Sequence, residues 1–202
     1  MATRICCPIP TYLASAVTST TACAEDVGQV QKFIFWRRDN NTTVASALTS
    51  TYWSTALTAT GDTKAVVSPF CANVEVEPGE AREFGGGNET KDGIPIIKGS
   101  EATVMTGRFY QEDQDVIDTM KDWSCEKLDV IMINENNQFI YDDRGGSSFY
   151  GFPIESLNIK DLRIGGYTDA DYNEFSMRYV PDWSDGLEIS SATTFALTLV
   201  NS

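Results

Sequence analysis

Chemistry at neutral pH is usually carried by histidine, an activated cysteine, paired carboxylates or a glycine loop that cradles phosphate. The sequence contains no histidine, which removes Ser-His-Asp and Cys-His catalysis in their usual forms together with histidine-containing metal sites. Its 29 acidic residues include many possible carboxylate pairs of the kind glycoside hydrolysis needs. No spacing selects one pair, and most of these acids are expected on solvated surface. Gly85-Gly86-Gly87 is not a phosphate loop, because no G-K-[ST] follows and no helix begins there. Asp142-Asp143-Arg144-Gly145-Gly146 reads as a turn, since a calcium loop needs alternate acidic ligands closed by a bidentate glutamate. Asp169 and Asp171 alternate suitably, but only Glu174 follows them. Cys6, Cys7, Cys23, Cys71 and Cys125 form an odd set with neither C-x-x-C nor histidine, so reduced thiols are expected rather than disulfides or zinc. The expectation is a protein with no catalytic residues, no metal ligands and no cofactor.

Residues suited to binding are easier to find. Trp36-Arg37-Arg38 could stack a nucleobase, although two charges at the end of an apolar run fit a core strand better. Tyr150, Phe152, Tyr167, Tyr172 and Trp183 fall in loop-like stretches, and they motivate an alternative reading as a carbohydrate- or surface-binding β-sandwich. The most unusual segment is residues 77–100, EPGEAREFGGGNETKDGIPIIKGS. Three successive glycines cost conformational entropy and contribute no packing, and loops this long inside a compact domain are usually functional or disordered. One expectation is a mobile surface loop. The other is a long hairpin ordered across a neighbouring subunit, with Phe84, Gly85, Gly86, Gly87, Asn88, Ile94, Ile96 and Ile97 as the interface residues and Phe84 and the isoleucines as its apolar anchors.

The elements around these residues read as mainly β. In the strand predicted over residues 27–38, Val30, Ile34 and Trp36 point one way and Phe33 and Phe35 the other, so both faces should be buried. Thr49 or Ser50 can cap a short helix to about Ala59, with Tyr52, Trp53, Ala56 and Leu57 on one face. Residues 64–70 and 101–110 read as strands. Residues 113–125 read as the clearest helix, with Val116, Ile117, Met120 and Trp123 at helical spacing and Asp113, Asp115 and Asp118 favouring its N-terminal end. An apolar strand over 128–134 should turn at Asn134-Glu135-Asn136-Asn137 into 138–142. Leu157 and Ile159 have opposite parity to Leu162 and Ile164, which predicts a bulge near Lys160-Asp161. Phe175, Met177 and Tyr179 mark a half-buried strand. Leu187, Ile189, Phe195, Leu197 and Leu199 share one parity, as in a single long or kinked strand.

At 202 residues with 42% hydrophobic content, the chain can bury a sizeable core. The expected organisation is an extended arm over residues 1–24 and one β-rich domain over 25–202. No run of 18 apolar residues suggests a membrane-spanning helix, and residues 1–16 are too broken by proline for a signal peptide, so an intracellular chain is expected. The formal net charge is -14, with 8 basic and 10 acidic groups in residues 1–100 against 7 and 19 in residues 101–202. Such a surface repels phosphate and disfavours nucleic-acid binding through a basic patch. It would also let nucleic acid pass without sticking.

The strand near Gly28-Gln29-Val30-Gln31-Lys32, the short helix bearing Trp53, Val67-Ser68-Pro69-Phe70, Glu77-Pro78-Gly79, Phe84-Gly85-Gly86-Gly87-Asn88-Glu89-Thr90 and the strand-helix-strand unit resemble virion proteins of tailed bacteriophages. The pattern is most like ring or tail-tube-like proteins of the crAss-like phages, over roughly residues 25–142. The resemblance implies a β-sandwich or barrel with one flanking amphipathic helix and a long loop reaching its neighbours. It further implies homo-oligomeric rings, contacts with adjacent tail or neck proteins, a virion location after assembly in the bacterial cytoplasm, and an acidic channel through which DNA passes without specific binding.

Overall fold

Val30–Arg37 (β1) carries apolar side chains at most positions and must be covered on both sides. In the computed structural model, which describes residues 27–90, 93–144, 146–192 and Val200, Phe33, Ile34, Phe35 and Trp36 are all buried. β1 pairs antiparallel along Leu128–Asn134 (β8). The other edge of β8 is shared by Phe152–Ile159 (β11) and Gln138–Asp142 (β9). β11 continues onto Tyr172–Tyr179 (β12), β12 onto Thr103–Tyr110 (β7), and β7 onto Cys71–Glu77 (β4). The sheet curls until β4 lies beside β1, with the Cys71 Sγ 3.9 Å from the Val30 carbonyl. The architecture is therefore mainly antiparallel β, a curled half-barrel with a few helices, in agreement with the expected fold class.

Each face of the curl has its own core. The inner core joins Phe33 and Phe35 of β1 to Met105, Phe109, Val130, Met132, Phe152, Phe175, Met177 and Tyr179. Gln114–Lys121 (α3) adds Ile117 and Met120 to it, and its N-terminus is capped by the Asp113 carboxylate, which accepts from the Asp115 amide at 3.2 Å. Trp123, in the 3-10 turn Asp122–Cys125 that follows, sits 5.7 Å from the Phe35 ring. The outer core is covered by two short helices, Val44–Ala47 (α1) and Ser50–Thr58 (α2). Trp53 of α2 stacks between Trp36 and Phe139 at 6.3 and 5.5 Å and donates its indole N–H to the Ala47 carbonyl at 2.7 Å. That hydrogen bond lets a large ring with one polar atom be fully buried without penalty. The remaining strands are Asn41–Thr43 (β2), Val66–Val67 (β3), Ser148–Tyr150 (β10) and Leu187–Ser191 (β13), which extend the sheet, and Ala81–Phe84 (β5) with Ile96–Ser100 (β6), which form a separate two-stranded hairpin.

Several expectations change. Val30 joins the Phe33 and Phe35 side instead of the Ile34 side, because the register shifts between Val30 and Lys32. The strand expected over 64–70 is reduced to β3, and β4 was not foreseen. Thr49 does precede α2, but its side chain makes no cap; its hydroxyl donates to the Ser46 carbonyl at 2.7 Å instead. Val116 is exposed on α3, leaving Ile117 and Met120 as the buried pair. The register shift in β11 falls between Ile154 and Ser156, so Leu162 and Ile164 lie beyond the strand and are exposed. The arm over residues 1–24, the cysteines Cys6, Cys7 and Cys23, and Phe195, Leu197 and Leu199 lie outside the described residues. Among the described residues no helix is long and apolar enough to cross a membrane.

Candidate functional site

The glycine-rich segment is a hairpin. β5 and β6 pair antiparallel with Ala81 opposite Ser100, Glu83 opposite Ile97 and Phe84 opposite Ile96. Alternation then places Phe84, Ile96 and Lys98 on one face and Glu83 and Ile97 on the other. The Lys98 ammonium lies 4.2 Å above the Phe84 ring, a cation–π contact on an exposed surface. At the base, Arg82 pairs with Glu101 at 3.7 Å and the Glu101 amide donates to the Glu80 carbonyl at 2.8 Å. Gly79 packs directly on the Glu101 backbone, where a Cβ would lie 1.9 Å from the carbonyl oxygen.

The bend is made by glycines in left-handed backbone. Gly85, Gly86 and Gly87 have φ of 77°, 120° and 55°, and Gly93 has 70°, conformations that L side chains rarely adopt. Gly87 begins a 3-10 turn through Glu89 that contains Asn88, and its amide donates to the Gly93 carbonyl at 3.2 Å. The eight residues expected at the interface thus belong to one supersecondary unit. Phe84, Ile94, Ile96 and Ile97 are 51%, 68%, 55% and 65% exposed. Neither strand of the hairpin forms ladder bonds to the large sheet. An isolated two-stranded hairpin is at best marginally stable in water, and among the described residues its apolar side chains are left exposed on both faces.

The other candidates are engaged structurally. Trp36 is buried, and Arg37 pairs with Asp62 and Glu126 at 3.3 and 3.4 Å, so Trp36-Arg37-Arg38 is no stacking platform. The loop aromatics are not a sugar-binding face: Phe152 and Tyr172 are buried, and Trp183 packs on Phe152 and Tyr179 at 5.0 and 4.7 Å. Tyr150 lies under the Arg144 guanidinium at 4.1 Å, and only Tyr167 of the five is fully exposed. Asp142 accepts from the Arg144 amide at 2.8 Å, Asp171 from the Gly165 amide at 2.7 Å, and Glu174 pairs with Lys160 at 2.9 Å. Burial pushes the Cys71 thiol up to about 12, so little thiolate is available as a nucleophile at neutral pH. Among the described residues no group of three or more His, Cys, Asp or Glu side chains could hold a metal ion.

One cluster was not foreseen. Asp129, within the apolar run of β8, is fully buried between Arg38 at 3.6 Å and Arg144 at 3.7 Å, and accepts from the Asp39 amide at 3.0 Å. Arg144 also reaches Asp39 and Asp142 at 3.2 and 3.6 Å. A charged residue interrupting Leu128–Asn134 was the signal in the sequence. The cluster joins the turn after β1, the start of β8 and the β9–β10 connection, which is a structural role.

Comparison with known proteins finds no matching family model and no matching curated protein. A chain in the solved "Cryo-EM structure of the anti-feeding prophage (AFP) baseplate, 6-fold symmetrised" is similar over 85% of this chain and 99% of its own, at 9% identity and a TM-score of 0.39.

Proposed function

We propose that this chain is a noncatalytic structural subunit of a phage virion, forming a homo-oligomeric ring or tube in the tail or neck through which DNA passes. Each copy lays its β5–β6 hairpin on the next, and adjacent tail or neck proteins template or cap the ring. The observation that carries this reading is the hairpin itself: a two-stranded sheet outside the large one, with Phe84, Ile94, Ile96 and Ile97 exposed. Large exposed apolar groups clustered in this way mark interaction sites on soluble proteins. The resemblance of residues 25–142 to tailed-phage ring and tube proteins supports the virion assignment, and the acidic excess of residues 101–202 suits a wall that DNA slides past.

The test is the mass and shape of the purified chain by light scattering and electron microscopy, alone and mixed with the neighbouring virion proteins. Closed rings in either condition are expected. Monomers in both would overturn the proposal. Monomers alone that become rings on a partner would fit it, because such rings can require a template.

A further inference from the structure

The turn after β11 closes over a second surface feature. The Arg163 and Tyr172 backbones exchange hydrogen bonds of 2.9 and 3.1 Å, and Gly165 packs so tightly on Asp169 that a Cβ would lie 2.2 Å from its carbonyl oxygen. The loop and strands β7 and β12 enclose a polar hollow of about 360 Å³. Tyr172 forms its wall, with the Arg108 guanidinium 4.5 Å and the Arg163 guanidinium 5.4 Å from its ring. Tyr110 stands beside it at 5.5 Å.

The side chains around Tyr172 in this hollow are mostly hydrogen-bond donors. The Tyr172 hydroxyl accepts from Arg163 at 2.6 Å, and the Tyr110 hydroxyl accepts from Asn73 at 3.1 Å and from Arg108 at 3.5 Å. Each hydroxyl oxygen is therefore occupied as an acceptor, and its own hydrogen remains to donate. The two guanidiniums keep further N–H groups, and among the described residues neither forms an ion pair, whereas Arg37, Arg38, Arg82 and Arg144 all do. Three carboxylates stand nearby: Glu174, across the ladder from Arg108, is held below the usual carboxylate range first by the hydrogen bond from Lys160 and then by the charges of Lys160, Arg108 and Arg163; Asp171 accepts from the Gly165 amide; and Asp169 lines the hollow.

We propose that this hollow binds a single phosphate group, free or esterified, between Arg108 and Arg163 with the Tyr110 and Tyr172 hydroxyls as additional donors. Two guanidinium forks and two hydroxyls offer more donors than the two oxygens of a carboxylate readily accept, and the several oxygens of a phosphate match them better. One phosphate contact is not DNA binding, which draws its affinity from neutralising many phosphates at once. The site is accordingly compatible with a channel that does not retain DNA, and it does not depend on the ring.

The test is a titration of the full chain with inorganic phosphate, read from the arginine side-chain N–H signals by nuclear magnetic resonance, with acetate as the carboxylate arm. Saturable shifts at Arg108 and Arg163 are expected with phosphate, with affinity weakened about tenfold or more in Arg108→Gln and in Arg163→Gln, the size of losing one charge-assisted hydrogen bond. Tyr110→Phe removes only a hydroxyl, should leave melting unchanged, and should weaken binding by a smaller factor. Absence of a saturable shift with phosphate would overturn the proposal. Equal affinity for acetate, or unchanged affinity in both arginine variants, would also overturn it.

Discussion

Asp129 shows what burial does to a charge when its partners stand slightly too far away. Its two arginines lie at 3.6 and 3.7 Å, beyond good hydrogen-bond distance, and desolvation outweighs the help from the Asp39 amide and both guanidiniums, raising the carboxyl to about 6 from 3.8. A raised acid acts on stability in the opposite sense to a salt-bridged one. Between about pH 4 and 6 the folded chain keeps a proton that the unfolded chain has lost, so this group's contribution falls as pH rises through that window and is level above it. A displacement of about two units corresponds to at most roughly 3 kcal/mol. Asp129→Asn cannot titrate, so its stability relative to the parent chain should climb as pH is raised from 4 to 6 in denaturant melts. A flat difference across that window would refute the assignment. Gly151 guards the same cluster: a Cβ there would lie 2.8 Å from the Trp36 indole nitrogen and 2.9 Å from the Val130 amide. Gly151→Ala should therefore destabilise by about 1–3 kcal/mol through overpacking, read as a lower denaturant midpoint.

At the scale of elements, the hairpin and the curled sheet should respond independently. Phe84→Ser with Ile97→Ser changes exposed side chains, so the melting of the body should move little, within about 0.5 kcal/mol, while assembly is lost. Replacing Gly85, Gly86 and Gly87 together by alanine forces left-handed backbone at about 1–2 kcal/mol per residue. It should impair assembly more than folding, because the hairpin shares no ladder with the sheet; equal losses of thermal stability and of assembly would show the glycines to be merely structural. The sequence made some of these elements legible and hid others for physical reasons. Alternation exposed β12, continuous apolar character exposed β1 and β8, and composition marked residues 77–100 as unusual while leaving a mobile loop and a hairpin both open, of which the structure shows the hairpin. β4 was hidden because Cys71–Glu77 carries two glutamates and breaks register between Ala72 and Glu75, with Asn73 at a φ of 53°. Parity also misled at Val30 and within β11, because a register shift reverses which side chains face inward. Local spacing contains no record of which partner strand imposes that shift. The Arg108 and Arg163 hollow was invisible for the same reason, since its two arginines come together only when β12 pairs with β7 on one side and with Arg163 on the other.

At the scale of the whole molecule, two forces of different character act on any assembly of these copies. Each copy carries a net charge of -14, so neighbours repel over the screening distance, about 10 Å at 0.1 M salt and shorter as salt rises. The contact offered by Phe84, Ile94, Ile96 and Ile97 is apolar, and burying it gains free energy largely independent of simple salts at moderate concentration. Raising sodium chloride from low to moderate strength should therefore strengthen assembly: light scattering should show the oligomer persisting to lower protein concentration as salt increases. An interface built on ion pairs would behave in the opposite way, dissociating as salt is added. That result would move the contact away from the hairpin faces and onto charged surface, even if rings still formed. The slope of assembly against salt therefore separates an apolar hairpin interface from a charged one, which the presence of a ring alone does not.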